Sequence, residues 1–400
     1  MPQETDPRLA AIAAEATQWR RHLHANPELS FEEHRTSDFV AAKLESWGIA
    51  VTRGIAGTGL VGTLRGSRGQ QGANAGRAIG LRADMDALPM QEMTEDLPYK
   101  STVPNVMHAC GHDGHTAMLL GAARYLSETR DFEGTVHFIF QPAEEKGGGG
   151  RVMVEEGLFT RFPCDAVYGI HNGSNVPKGQ FVITRGTTNA AADTVKLTVR
   201  GLGGHAARPH QALDPVLVAS HIVVALQSVV SRRVDPLDSA VLSLCSIHGG
   251  SACNVIPEEV VIEGTVRTLR PETRDAMQRL LTEVATATAQ AHGASVEIDY
   301  ERGYPPVVNS DGPVERAQLA AAKLAGEGML VREAPPTMGG EDFSYMARTV
   351  PGCFIRLGQM DPAKPNFSTH HPRYNFNDDI LPTGIAFWSS LVEQELPASD

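Results

Sequence analysis

The chain has 400 residues, of which 42% are hydrophobic and 20% are charged, and its formal net charge is −12. This length and apolar content suit a large buried core, and the length suggests two domains or one domain carrying an insertion. The acidic balance, with no block rich in lysine and arginine, argues against binding to nucleic acid or to an anionic membrane. We therefore expect an ordinary soluble globular protein.

The N-terminus and the cysteine usage favour the cytoplasm. Residues 1–21 begin acidic and lack the basic start, the continuous apolar run and the cleavage site of a signal peptide. A long uncharged stretch, residues 215–231, contains a histidine, a glutamine and several serines, so we interpret it as a buried helix and not as a membrane span. The five cysteines are scattered and show no paired spacing, which argues against a disulfide scaffold and favours a reducing compartment.

Helical and extended patterns alternate in the first part of the chain. Apolar spacing predicts helices over residues 8–26 and 32–47, followed by short extended segments near 50–53 and 60–64. We then predict strands at 78–84, 135–140 and 166–171, separated by helices at about 112–128 and 150–158. Such alternation is typical of an α/β fold with a mainly parallel sheet and helices on both faces.

The order of elements changes at about residue 188. Strands at 194–201, 240–248, 259–269 and 295–301 are combined with helices at 213–232 and 272–292. This strand-helix-strand-strand-helix-strand order is that of a ferredoxin-like α+β unit, complete in itself. We therefore predict an inserted domain over residues 188–302 and a catalytic domain formed by residues 1–187 and 303–400. The returning segment carries a helix near 312–325, a strand at 353–358 and a last helix after Pro382.

The densest group of reactive side chains is the run His108-Ala-Cys110-Gly-His112-Asp113-Gly-His115. Imidazole and thiolate are preferred ligands of zinc-like divalent ions, and packing alone explains such a density poorly. The run therefore predicts half of a metal site. Other acidic and imidazole side chains must complete it.

Candidate partners stand at the ends of three predicted strands: Asp84 with Asp86, Glu144 with Glu145, and His171. A single acid after a strand is more often a helix cap, and a lone histidine there is more often a core residue. Ligands of parallel sheets bind beyond the carboxyl ends of the strands, however. Polar side chains at the ends of three strands therefore favour one shared site. Within it, one glutamate of the pair could hold a metal while its neighbour handles protons.

Two further segments bear on this site. Gly147 to Gly150 lack the following Gly-Lys-Ser/Thr of a phosphate loop, and we interpret them as a close backbone approach. His370 and His371 lie in a proline-containing loop, where a surface pair is the default interpretation. One such histidine and His171, added to Cys110, His112 and Glu145, give about five ligands, which suits a two-metal centre with a bridging water.

Nine motifs occur in order over roughly residues 16 to 384. They are LRADMDALP, HACGHDGH, FIFQPAEE, GIHN, GGHAARPH, CNVIPEEV, GTVRT, MGGEDFS and HHPRYNFND. The set resembles the metal-dependent amidohydrolases that include hippurate hydrolase, N-acyl-amino-acid amidohydrolases and plant auxin-conjugate hydrolases. These enzymes form a branch of the aminoacylase and carboxypeptidase-like metallopeptidases.

The resemblance implies roles for individual residues of the catalytic domain. Glu144 matches the general base, and Asp86 matches an acid that supports the metal site from behind the ligands. The family pattern of histidine, variable residue and proline favours His370 over His371 as ligand. We expect hydrogen bonding of a structural kind for His108 and His115. The implied metal ligands are Cys110, which would bridge the two metals, with His112, Glu145, His171 and His370.

The resemblance also implies roles on the inserted domain and beside it. His205 matches a histidine that stabilises the oxyanion, often across a dimer interface. Asn254 and Arg267 match substrate-binding residues, and arginine suits bidentate capture of a carboxylate. Gly339 and Gly340 match a backbone segment that lines the pocket.

The resemblance thus implies an enzyme that hydrolyses the amide of an N-acyl amino acid with two divalent metal ions. Zinc suits the ligands, and manganese, cobalt or nickel fit similar sites. We expect a small-molecule substrate, domain closure or dimerisation, and a homodimer or homotetramer. One alternative is a dipeptidase or carboxypeptidase-type exopeptidase with the same metal chemistry. Another is a non-catalytic metal-dependent binding protein, but the presence of Glu144 argues against it.

Overall fold

The computed structural model describes residues 6–67 and 74–398. Its strands in chain order are β1 Ala50–Ile55, β2 Gly59–Arg65, β3 Ala78–Asp84, β4 Thr135–Gln141, β5 Ala166–Pro177, β6 Phe181–Val182, β7 Gly186–Asn189, β8 Ala191–Arg200, β9 Gly204–His205, β10 Ala240–His248, β11 Val255–Ile256, β12 Glu259–Thr268, β13 Ser295–Arg302, β14 Val307–Asn309, β15 Leu330–Val331 and β16 Gly352–Met360. Its helices are α1 Pro7–Ala25, α2 His34–Ser46, α3 His112–Thr129, α4 Gly149–Glu155, α5 Leu158–Arg161, α6 Pro215–Arg233, α7 Pro271–Ala291, α8 Asp311–Ala325, α9 Phe343–Thr349 and α10 Leu381–Glu395.

The chain divides into two compact units. The first is the described part of residues 1–186, 308–335 and 342–400, and the second comprises residues 187–307 and 336–341. We placed residues 336–341 in the catalytic domain, but they belong to the second unit. The reason is backbone pairing, since Ala190 N donates to Thr337 O at 3.0 Å and Thr337 N donates to Thr188 O at 2.9 Å.

The first unit is built on an eight-stranded sheet in the order β1-β2-β4-β3-β5-β16-β6-β15. Its central strands β4, β3, β5 and β16 are parallel, whereas β2 and β6 pair antiparallel with these central strands at the two margins. The predicted α/β fold with a mainly parallel sheet is therefore confirmed, with antiparallel margins that we did not predict.

Side-chain alternation along the strands separates the two faces of this sheet. Ile170 of β5 and both Ile355 and Leu357 of β16 join the core cluster that includes buried residues of α1, α2, α3, α8 and α10. Successive strand residues point to opposite faces, so His171 and Arg356 lie on the other face. There Gly169 packs closely on Phe343 of α9, which is a short helix that we did not predict.

Strand register brings the predicted strand-end residues to one edge. Asp84 is opposite Gln141, and Arg82 is opposite Gly169. His171, two residues after Gly169, therefore lies level with Asp84. Our prediction that a strand ends at residue 171 is wrong, because β5 continues to Pro177 through its pairing with β16.

The second unit has the predicted ferredoxin-like order of elements, β8-α6-β10-β12-α7-β13. Its four strands form an antiparallel sheet in the order β10-β12-β8-β13. Asp214 caps α6 by accepting a hydrogen bond from Val216 N at 2.9 Å, and Pro215 occupies the first turn. The first turn of α6 is therefore stabilised by its own sequence.

Helix α6 is buried on one face only. Val218, Ile222 and Leu226 are fully buried in the core of the second unit, whereas Leu217 and Val224 are 52% and 72% exposed. By length and composition alone, α6 would also be long and apolar enough to cross a membrane. The core packing of its buried face supports the interpretation as a helix of a globular domain, but not as a fully buried one.

Candidate metal centre

The histidine- and cysteine-rich run forms a tight turn that leads directly into α3. Gly111 adopts φ 106° at the N-cap, and a Cβ atom there would lie 2.3 Å from Asn172 Oδ1 and 2.7 Å from the Tyr374 hydroxyl. Only glycine fits this position. The turn places Cys110 just before the helix and His112 at its first residue, both buried.

Donor atoms from four separate segments converge beside this turn. Cys110 Sγ lies 3.4 Å from His171 Nε2. His112 Nε2 lies 3.9 Å from Glu144 Oε2 and 4.0 Å from Glu145 Oε1. Three overlapping groups have all their donor atoms within 4.8 Å of one another, namely Cys110 with His112 and His171, Cys110 with Glu145 and His370, and His112 with Glu144 and Glu145.

His112 is oriented by Asp86, as the resemblance implies. Its Nδ1 lies 2.9 Å from the Asp86 carbonyl oxygen and 3.1 Å from Asp86 Oδ1. A proton on Nδ1 satisfies both acceptors and leaves the lone pair of Nε2 directed toward the other donors. Asp86 Oδ2 in turn accepts from Ser30 Oγ at 2.7 Å and from Glu145 N at 3.0 Å. One carboxylate therefore positions two of the implied ligands.

His115 belongs to a buried hydrogen-bond network behind the ligands. Its Nδ1 lies 2.6 Å from Asp84 Oδ1, and its Nε2 lies 2.7 Å from Asn172 Oδ1. Asp84 also accepts a hydrogen bond from Arg82 at 2.7 Å. Burial by itself would raise the pKa of Asp84, but the Arg82 guanidinium helps to hold this pKa well below its ordinary value. The expected structural role of His115 fits these contacts.

His108 does not fit the corresponding expectation. It is 1% exposed, and neither ring nitrogen has a hydrogen-bond partner among the described residues. Burial lowers the pKa of His108 to about 4, so the ring stays neutral and packs 6.4 Å from the His24 ring. A neutral imidazole carries no charge that would require a counter-ion.

The two adjacent glutamates follow a strained turn. Ala143, directly before Glu144, adopts φ 54°, a left-handed conformation that is uncommon for any residue other than glycine. Its N–H donates to Glu33 Oε1 at 2.8 Å, and its carbonyl accepts from Gly149 N at 2.9 Å. A Cβ atom at Gly149 would lie 1.8 Å from Pro142 O, so glycine at this position permits a close approach to the preceding backbone.

His171 and His370 complete the donor set from opposite sides. The Nδ1 of His171 lies 2.8 Å from the Asn172 carbonyl, which leaves its Nε2 toward Cys110. His370 Nε2 lies 3.3 Å from Glu145 Oε1, and its backbone N donates to Ala109 O at 2.7 Å. His371 instead stacks on Phe367 with ring centroids 4.5 Å apart. The structure therefore places His370, and not His371, among the donors.

The charges of the cluster suit divalent cations. Burial and the carboxylates of Glu145 and Glu144 raise the pKa of the Cys110 thiol well above its ordinary value. Burial opposes protonation of His112, but Asp84 and Asp86 raise its pKa to about 10. His112 Nε2 is buried and has no hydrogen-bond partner among the described residues. A cation would pair with this nitrogen and favour the thiolate, so the residues fit a metal site.

The remaining predicted site residues lie on the second unit. His205 is exposed on β9 and pairs with Val255 of β11, next to Asn254, whose carbonyl accepts from Ala206 N at 3.1 Å. Arg267 on β12 is opposite Ala192 in the register. Gly339 O accepts from Ala190 N at 3.1 Å, and a Cβ atom at Gly340 would lie 2.9 Å from Ala192 Cβ.

Sequence reasoning missed several residues that support the donor set. Ser30 and Glu33 lie in the loop between α1 and α2, far from the other site residues in the sequence. The Tyr374 hydroxyl accepts a hydrogen bond from Asn172 Nδ2 at 2.8 Å. A hydroxyl or carboxylate in a loop carries no signal of such a contact, since only the fold brings these segments together.

A family model identifies the chain. The model described as Peptidase family M20/M25/M40 matches residues 80–394. The chain belongs to Peptidase family M20/M25/M40. The resemblance inferred from the motifs is thereby confirmed, and this M20 protein is a metal-dependent hydrolase.

Curated relatives and a solved structure agree with this assignment. The M20 chain is 41% identical over 382 residues to IAA-amino acid hydrolase ILR1-like 2 of Arabidopsis thaliana, covering 94% of the chain and 84% of the relative. It is 39% identical over 386 residues to the hippurate hydrolase of Campylobacter jejuni, covering 96% and 98%. The YXEP protein of Bacillus subtilis, described as a dinuclear metal binding peptidase from the M20 family, matches with a TM-score of 0.82 at 32% identity, covering 98% and 100%.

Proposed function

We propose that this M20 hydrolase cleaves the amide bond of N-acyl amino acids of the hippurate type and releases a carboxylic acid and a free amino acid. The relatives described as hippurate hydrolase and IAA-amino acid hydrolase support amide hydrolysis. The observation that carries the proposal is the position of Glu144 Oε2, 3.9 Å from a buried histidine nitrogen of the donor cluster. That arrangement suits a base beside a metal site.

We propose that two divalent ions are held by Cys110, His112, Glu145, His171 and His370. When bound, the ions supply Lewis acidity and make water a stronger acid. With ions bound, His112 and His171 would coordinate through Nε2, since Nδ1 of each ring faces an oxygen acceptor. Asp86 would hold both His112 and Glu145 in place for this task. Zinc suits thiolate and imidazole donors, and manganese, cobalt and nickel remain candidates.

Glu144 is the proton-handling residue of this proposal. It takes the proton of the attacking water and later delivers it to the leaving amine, so that one carboxylate serves both halves of the reaction. The backbone hydrogen bond from Glu145 N to Asp86 supports the assignment of the neighbouring glutamate as a ligand. The adjacent carboxylates can therefore perform different tasks although they follow each other in the chain.

The second unit would supply the remaining contacts. Under this proposal His205 stabilises the charge on the carbonyl oxygen, and Asn254 and Arg267 bind the substrate, with Arg267 taking its terminal carboxylate. We also propose a homodimer or homotetramer in the cytoplasm. The exposed apolar side chains of α6, Leu217 and Val224, support self-association, because apolar surface is stabilised by burial.

The test is a substrate panel on protein that has been stripped with a chelator and resupplied with zinc, manganese, cobalt or nickel. The panel contains hippurate, N-acetyl amino acids and dipeptides with a free amino group. We expect hydrolysis of the N-acyl compounds with at least one metal and little hydrolysis of the dipeptides. Preference for the dipeptides would favour an exopeptidase, and inactivity on every N-acyl amino acid with every metal would refute the proposal.

A further inference from the structure

Arg356 is a cation beside the donor cluster that has no visible counter-charge. It is partly buried on β16 and lies opposite His171 of β5 in the strand register. Neighbouring strands are about 4.8 Å apart, and both side chains lie on the face of the sheet that is turned away from the main core. The ring of Phe354, two residues earlier, is 6.2 Å from the His171 ring on that same face.

The guanidinium of Arg356 makes no hydrogen bond, ion pair or aromatic stacking contact with any described residue. The other arginines of the described ranges that are not exposed all donate to an oxygen atom: Arg20, Arg77, Arg82, Arg124, Arg130, Arg267, Arg274 and Arg316. Arg356 is therefore an exception within this chain. Its donors have no acceptor among the described residues and are not fully buried, so they are accessible to a ligand.

Burial alone lowers the pKa of Arg356, and no nearby acid opposes this effect. Its neighbour on the other side, Val182 of β6, is apolar and likewise offers no acceptor. No carboxylate of the described residues forms an ion pair with the guanidinium, so its positive charge is available to a ligand. An arginine in such a position suits a planar carboxylate, which accepts two parallel hydrogen bonds.

We propose that Arg356 binds a second carboxylate of the substrate, in addition to the terminal carboxylate of the amino acid. The inference rests on the proposed function and narrows it to N-acyl amino acids that carry two acidic groups. The second carboxylate could belong to an acidic amino-acid side chain or to a dicarboxylic acyl group. Both sources present a carboxylate to the guanidinium, and a comparison of substrates that carry the second carboxylate on either side of the amide distinguishes them.

The experiment compares kcat and KM for N-benzoylglycine, N-benzoylaspartate and N-succinylglycine with the metal-loaded wild type, Arg356→Met and Arg356→Lys. We expect the wild type to prefer one of the two dicarboxylates over N-benzoylglycine. Arg356→Met should raise KM for that substrate about 10- to 100-fold, the effect of losing a charge-assisted hydrogen bond. The KM for N-benzoylglycine should change by much less, and Arg356→Lys should retain part of the preference.

The control variant is Arg373→Met, which removes an exposed arginine of the same unit and should leave the preference in place. Thermal melting verifies that each variant is folded, and Arg356→Met should not lower Tm, because no ion pair is lost. The inference is overturned if the wild type shows no preference for either dicarboxylate, or if Arg356→Met affects all three substrates equally. Hydrolysis that does not depend on Arg356 would leave the proposed function intact, whereas no hydrolysis of any N-acyl amino acid would refute both.

Discussion

Replacing Glu33 should impair catalysis through the backbone that precedes the general base. Glu33 is fully buried and accepts two hydrogen bonds, from Ala143 N at 2.8 Å and from the Thr58 hydroxyl at 2.6 Å. Glu33→Leu preserves the approximate volume but removes both acceptors. An unsatisfied buried N–H costs about 1–3 kcal/mol, and a lost hydroxyl hydrogen bond costs about 1 kcal/mol. We expect the free energy of unfolding to fall by about 2–4 kcal/mol.

The effect on turnover follows from the left-handed conformation of Ala143, which costs about 1–3 kcal/mol and must be held by its surroundings. Without Glu33 the turn can relax to negative φ and displace Glu144. A displacement of about 1 Å in a catalytic group reduces the rate by about 100-fold. We therefore expect a large loss in kcat for Glu33→Leu with a smaller change in KM. Bound metal should be retained, because Asp86 anchors Glu145 independently.

Two further variants test whether Glu33 acts by positioning the backbone of Ala143 or through its own charge. Burial raises the pKa of Glu33 to about 7, so the neutral amide of Glu33→Gln is a close mimic and should keep most of the activity. Glu156→Leu is a matched control, because Glu156 Oε2 accepts from the N–H of Ala56 at 2.7 Å, another alanine in a left-handed conformation at φ 52°. The control should cost stability without a loss in kcat. Full activity in folded Glu33→Leu, or loss of activity in Glu33→Gln equal to that in Glu33→Leu, would refute the reasoning.

Two other predictions concern metal binding and acid stability. Cys110→Ala should lower both metal content and activity, whereas Cys353→Ala, at another buried cysteine, should lower neither; normal metal content in Cys110→Ala would contradict the assigned ligand role. Burial lowers the pKa of His137 from 6.5 to about 4. The neutral ring therefore contributes stability that is complete above pH 6.5 and is lost as the pH falls toward 4, about 3 kcal/mol in total. In urea unfolding of metal-free protein, His137→Gln should lose less stability than the wild type between pH 7 and pH 4.5, and equal losses would refute this.

Patterns of local spacing were sufficient to predict most elements that carry the site. The alternating apolar run at residues 78–84 coincides with β3, and the predicted start of a helix at residue 112 coincides with α3. Side-chain periodicity is a local property, so it is visible in the sequence. The order of elements in the second unit was predicted for the same reason.

Contacts between distant segments were not predictable in this way. The hydrogen bond from Ala143 to Glu33 joins residues 110 positions apart, and nothing near either residue signals it. Arg356 stands within an otherwise apolar strand, where the pattern predicted the strand but not the unpaired cation beside His171. The short strands and α9 also escaped prediction, because their pairing or packing depends on neighbours that are remote in the sequence.

The central claim is that this M20 hydrolase uses Glu144 as the base beside a two-metal centre. The most direct test measures metal content and hydrolysis of N-acyl amino acids in the same preparation of Glu144→Gln, with Glu156→Gln as the control. We predict two metal ions per chain in both variants and a loss of about 100-fold or more in kcat for Glu144→Gln alone. Unimpaired hydrolysis by Glu144→Gln with unchanged metal content would contradict the mechanism.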